Sequence, residues 1–151
     1  MSLAFLPPIS RRLFAIALVW CLTSAVTRAD DKALKALAET PVFAFGGIGY
    51  AGTTSQGEIA FRKVLASDSA GADFLKVVKT GNPQAQCYGL IGLRLKDRAA
   101  YDEQVKHFVT SRKEVQTCAG CSMSKQLMFS VVTNIRNGAF DKEAEARPSR
   151  R

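Results

Sequence analysis

The stretch Asn82-Pro-Gln-Ala-Gln-Cys-Tyr-Gly-Leu-Ile-Gly-Leu-Arg-Leu-Lys-Asp97 decides how the rest of the chain is read. Asn82 is a good helix N-cap and Pro83 a good first helical residue, because proline's missing N–H would have no partner there anyway. Cys87, Leu90, Ile91, Leu93 and Leu95 come next, and apolar residues surround more than half of the cylinder. A helix apolar nearly all round belongs in the middle of a fold. The segment to Lys96 is therefore predicted to be the central, most buried helix. Gly89 and Gly92 let a neighbour approach closely, at about 1 kcal/mol each against alanine.

Outward from this segment the chain reads as short helices. Asp97 turns it, and Ala99 to Ser111 carries Tyr101, Val105, Phe108 and Val109 at helical spacing. Upstream, residues 31–39 read as a helix stopped by Pro41. Ser55-x-x-Glu58 reads as a capping box opening a second helix, and residues 69–80 as a third, with Gly81 in the place of a C′ glycine. Downstream, residues 112–123 read as a loop or short extended piece. A last helix comes after it, with Leu127, Met128, Val131, Val132 and Ile135 on one stripe as far as Asn137-Gly138. Its β-branched content leaves a strand at 128–133 as the alternative. Short helices joined by tight turns pack as antiparallel neighbours. The expected fold is all-α, a compact bundle of five or six short helices over residues 30–140. Residues 141–151 hold no apolar content beyond alanine and read as a disordered basic tail.

The Asn82–Asp97 pattern resembles the first helix of HEAT-like units in small exported bacterial proteins. Gly46-Gly-Ile-Gly-Tyr-Ala-Gly-Thr-Thr-Ser55 before an acidic helix, and Val115-x-Thr117-x-x-Gly120-Cys121, are similar to the same group. The likeness covers most of residues 42–138. It implies helical hairpins with HEAT-like packing and no particular activity.

Residues 1–29 read as a secretory signal peptide. Arg11 and Arg12 precede the apolar run Leu13–Leu22, and Thr27 and Ala29 form a small-x-small end around Arg28. The run falls short of the about 20 apolar residues that span a bilayer. The expectation is export to a periplasmic or extracellular setting, with no stable membrane insertion after cleavage. The 151 residues carry a formal charge of +8. Without the leader, eighteen basic and thirteen acidic residues leave +5. That is mildly basic, without the clustered Lys/Arg and aromatics of a nucleic-acid footprint. A single histidine excludes any site that needs two.

Export directs attention to Cys87, Cys118 and Cys121, three thiols in a disulfide-permissive compartment. An antiparallel hairpin 83–96/99–111 would bring Cys87 to the end where the chain leaves toward Cys118 and Cys121. A bridge from Cys87 to either would close a loop of about 30 residues, adding roughly 3 kcal/mol. Cys118 with Cys121 is the alternative pairing. The Cys118-x-x-Cys121 spacing is also that of dithiol oxidoreductases, without their βαβ context. His107 would complete a Cys₃His set, but the spacing fits no standard zinc module, so no metal is expected.

Gly47-x-Gly49-x-x-Gly52 matches the dinucleotide fingerprint letter for letter, yet the rest of the chain has no room for a second βαβ half. No cofactor is expected. Gly47, Gly49, Tyr50, Gly52, Thr53, Thr54 and Ser55 are instead a candidate ligand or anion loop, in which the free N–H groups of residues 53–56 would hold a carboxylate or phosphate at a helix start. The hydroxyls have no histidine or lysine base nearby in sequence, so no catalytic residue is expected. Taken together, the residues point to a small exported binding or structural module, stabilised by a disulfide, whose partner is a protein or a small ligand. The alternative is a thiol–disulfide redox protein using Cys118 and Cys121.

Overall fold

A computed structural model of the chain describes residues 30–146. Residues 1–29, where the sequence leads one to expect a signal peptide, and the last five residues lie outside the described residues. Helix α1 (Asp31–Ala38) starts on Asp30, whose carboxylate accepts the Lys32 N–H at 3.1 Å. After it comes an extended glycine-rich segment, folded back on itself as β1 (Gly47–Ile48) and β2 (Thr53–Thr54), an antiparallel pair. Helix α2 (Gln56–Leu65) begins where Ser55 Oγ accepts the Glu58 N–H at 3.0 Å. Only this half of the capping box forms. The Glu58 carboxylate turns instead to the Gly46 N–H at 2.9 Å and to Arg62 at 2.5 Å.

Helix α3 (Ala70–Thr80) lies against α4 (Pro83–Lys96), which starts as expected: Asn82 Oδ1 accepts the Ala85 N–H at 2.8 Å. Every residue of α4 from Ala85 to Leu93 is buried, so it is the central helix. The close approach anticipated at its glycines is present. A Cβ at Gly92 would stand 2.3 Å from the Phe74 ring, and one at Gly89 2.7 Å from Val78. Gly81 is no left-handed cap; its backbone is extended, and Val77 and Ala85 leave no room for a Cβ.

The predicted helix to Ser111 is shorter than expected. It runs as α5 (Arg98–Gln104), tightens into a 3₁₀ turn at Val105–His107 and stops. The carbonyls of Ser111 and Lys113 are thereby freed to accept the N–H groups of Phe129 and Met128, at 3.0 and 2.8 Å. These are the first donors of α6 (Met128–Arg136), which has no side-chain cap of its own. The β-branched residues at 128–133 are thus helical.

The all-α expectation is overturned between these helices. Glu114–Ala119 (β3) and Ser122–Leu127 (β4) form an antiparallel hairpin, Cys118 opposite Met123 and Ala119 opposite Ser122. With β1–β2 this makes the fold a mixed one, seven helices and two small antiparallel sheets among the described residues. Gly120, at φ +56°, turns the chain in two residues. Glycine in the first central position of a two-residue hairpin matches the twist of the strands. β3 is half-buried, with Val115 and Thr117 inward, while all six residues of β4 are exposed. The chain also continues in helix past residue 140. Asp141–Glu145 form α7, with Ala144 buried against α4 and Arg94 holding the Asp141 carboxylate at 2.9 Å.

Candidate functional site

The two motifs that stood apart in the sequence meet at one end of the molecule. Residues from Phe43 run parallel to β3. The Phe43 N–H donates to Gln116 O at 2.8 Å, and the Cys118 N–H donates to Phe43 O at 3.1 Å. Further on, the Gly49 N–H donates to Gly120 O at 2.8 Å. The tip of the glycine hairpin is therefore tied to the tip of the cysteine hairpin. Gly49 has φ +69°, a left-handed backbone that disfavours any other residue, and it sets up this bond. The glycine spacing thus serves a β-turn and its docking. Tyr50, between the glycines, is fully exposed.

Beneath the tip lies a buried polar network. The Tyr88 hydroxyl donates to Ala44 O at 2.5 Å and accepts the Ala44 N–H at 3.0 Å. Ser55 Oγ, 3.3 Å from the same phenol, donates to Ala44 O at 3.2 Å. Burial pushes the Tyr88 phenol up to about 12, the hydrogen bonds to Ser55 and Ala44 opposing it. Arg62, paired with Glu58, also donates to the carbonyls of Glu143 and Ala146. Ser55 is thus a structural residue. Thr53 Oγ1 donates back to Ile48 O at 3.3 Å within the hairpin. The α2 N-terminus already has Ser55 Oγ as an acceptor and the Glu58 carboxylate beside it, a poor setting for an added anion.

The cysteines do not come together as a bridge from Cys87. Cys87 is fully buried, its Sγ 3.6 Å from Met128 Sδ, and burial pushes its thiol up. Cys118 is half-buried and Cys121 exposed, on either side of Gly120. All three are free thiols. The helix start that would favour a thioredoxin-like thiolate is absent here, since Cys121 leads into β4. His107 is exposed on its 3₁₀ turn. Among the described residues no group of three or more His, Cys, Asp or Glu side chains could hold a metal ion.

A cleft of about 270 Å³ opens between the extended segment, the β3–β4 hairpin, α6 and the approach to α7. Phe43, Phe45 and Phe140 give it an aromatic side, with the Phe43 and Phe140 rings edge-to-face at 5.1 Å. Thr117, Ser122 and Ser124 give it a hydroxyl side, with Thr117 and Ser124 bonded across the hairpin at 2.9 Å. Asn134 and Gln126 add amides, and Glu143 is the carboxylate in the lining. Sequence reasoning named Cys118 here but missed Thr117, Asn134 and Phe140. The signals were faint: the alternation Val115-x-Thr117, and one phenylalanine just past the Asn137-Gly138 stop. Comparison with protein-family models, curated proteins and solved structures finds no match.

Proposed function

We propose that the protein is a small binding module, exported as its leader suggests, and that its ligand lies in the cleft beside the joined hairpins. The observation that carries this reading is the two-sided lining: three phenylalanines facing hydroxyls and amides, with Glu143 at the rim. Ligand sites are commonly apolar concavities with a few convergent polar groups. The volume, about 270 Å³, suits a small ligand rather than a large cofactor. The lining favours an apolar or aromatic body with a hydrogen-bonding, cationic end. Phenethylamine is a direct probe, and phenylacetate its anionic counterpart. Titration followed by amide NMR should move Thr117, Ser124 and Asn134 with phenethylamine far more than with phenylacetate. Glu143→Gln should narrow that difference, and Ser124→Trp should fill the cleft and abolish the shifts. Equal response to both probes, or shifts that survive Ser124→Trp, would count against the reading.

A second reading has its own observation: Cys121 is exposed and Cys118 half-exposed, three residues apart around a tight turn. A redox dithiol there would cycle with a thiol–disulfide couple without the cleft being filled. Equilibration with glutathione buffers separates the two readings. A Cys118–Cys121 pair that exchanges readily favours redox chemistry, and one that does not favours binding alone.

A further inference from the structure

The sulfur atoms of the described residues fall into two sets. Cys87 and Met128 face each other in the core. Cys118, Cys121 and Met123 lie within six consecutive residues at the tip of the β3–β4 hairpin. Cys118 and Met123 are direct cross-strand partners, so their side chains leave the same face of the ribbon. Cys121 sits in the two-residue turn that joins them, beside Gly120. The Cys118 thiol bends toward that turn, its Sγ 3.5 Å from Gly120 O. Met123 is 60% exposed, an apolar thioether that gains nothing from burial where it stands.

We propose that this tip is a binding site for one Cu(I) ion, held by Cys118 Sγ, Cys121 Sγ and Met123 Sδ. Thiolate and thioether are soft donors and select a soft, polarisable cation over hard ones. Two cysteines separated by two residues supply the spacing used by sulfur-ligated metal sites. A structural zinc site wants four Cys, His or carboxylate donors, and among the described residues no third such side chain joins the pair. Cu(I) is satisfied by fewer, softer donors, and the thioether is the third. On binding, the two S–H bonds release their protons to solvent and two copper–thiolate bonds form. The thioether donates a lone pair without losing a group. The ion stays Cu(I) throughout, so no oxidant or reductant is consumed. The glycine hairpin supports the site from beside it, through the Gly49–Gly120 bond, and supplies no ligand. This site shares Cys118 with the lining of the cleft, while Cys121 and Met123 are not part of that lining.

The test is anaerobic titration of the fully reduced protein, leader removed, with Cu(I) in competition with bicinchoninate. One Cu(I) per chain and an X-ray absorption spectrum with three sulfur neighbours are expected. Cys121→Ser should abolish competitive binding. Met123→Leu should weaken it by at least about tenfold, and the sulfur count should fall to two, which a change outside the ligand shell would not cause. Cys87→Ala should bind as the unaltered protein does. Met123 lies on an exposed strand, so its variant keeps the fold and leaves the test decisive. Binding unchanged in Cys121→Ser, an unchanged sulfur count in Met123→Leu, Zn(II) displacing Cu(I) at equal concentration, or no Cu(I) bound would each overturn the proposal.

Discussion

Tyr88 is the residue on which the docked glycine segment depends. Its hydroxyl serves both the N–H and the C=O of Ala44 and touches Ser55, all within the buried interior. Tyr88→Phe keeps the edge-on ring contact with Phe43, at 4.9 Å, but strands the Ala44 N–H. A buried donor left without a partner costs about 1–3 kcal/mol, and that loss is expected in a urea titration at pH 8. The same residue sets an alkaline limit. In the fold the phenol titrates at about 12, against about 10 in the unfolded chain. Its contribution is complete below pH 10 and is lost as pH rises toward 12, because only the unfolded chain releases the proton in that window. The fall amounts to at most about 2.7 kcal/mol for two pH units. Cys87, pushed up by burial, acts in the same direction from lower pH. Urea midpoints at pH 8, 10 and 11 should therefore fall steeply in the native chain and less in Tyr88→Phe. Parallel slopes would remove Tyr88 from this role.

At the scale of elements, α3 and α4 are held at a spacing that a single methyl group disturbs. Gly92 is helical and buried, and a Cβ there would stand 2.3 Å from the Phe74 ring. Alanine is the better helix former by about 1 kcal/mol. Overpacking a filled core costs about 1–3 kcal/mol, and Phe74 has no exposed side to retreat to. The overlap is severe, so packing wins and Gly92→Ala should lower the melting temperature. A rise would show that α3 shifts freely.

The helices of this core were legible in the sequence because their signals are local. Asn82-Pro83 and Ser55 carry their caps within three residues, and the stripe of α6 repeats over two turns. The β3–β4 hairpin was not. Its outer strand, Ser122–Leu127, buries none of its residues, so it leaves no period-two pattern to read. Its inner strand offers only Val115 and Thr117. Reading 112–123 as a loop or short extended piece, with a helix after it, gives the all-α expectation that this hairpin overturns. Cys87 pairs with neither hairpin cysteine here, for a related reason. A longer hairpin helix would have aimed the chain's exit at it, but the chain turns at His107 and Met128 occupies the space beside its thiol.

At the scale of the molecule, the cleft and the joined tip rest on one long-range event. Residues 43–49 must lie along β3, joining sites some seventy residues apart in sequence. No local rule announces such a pairing, which is why neither the cleft nor the shared tip could be read from composition or spacing. Three backbone hydrogen bonds define it, the N–H groups of Phe43, Cys118 and Gly49 donating to the carbonyls of Gln116, Phe43 and Gly120. The most direct measurement is therefore native-state hydrogen exchange by NMR, with cross-strand proton contacts from the same sample. Protected amides at Phe43, Cys118 and Gly49, with a contact between Phe43 and Thr117, are the predicted result. If these three amides exchange as fast as that of exposed Tyr50 while α4 stays protected, the glycine segment is not docked. The cleft and the joined tip would then both be lost.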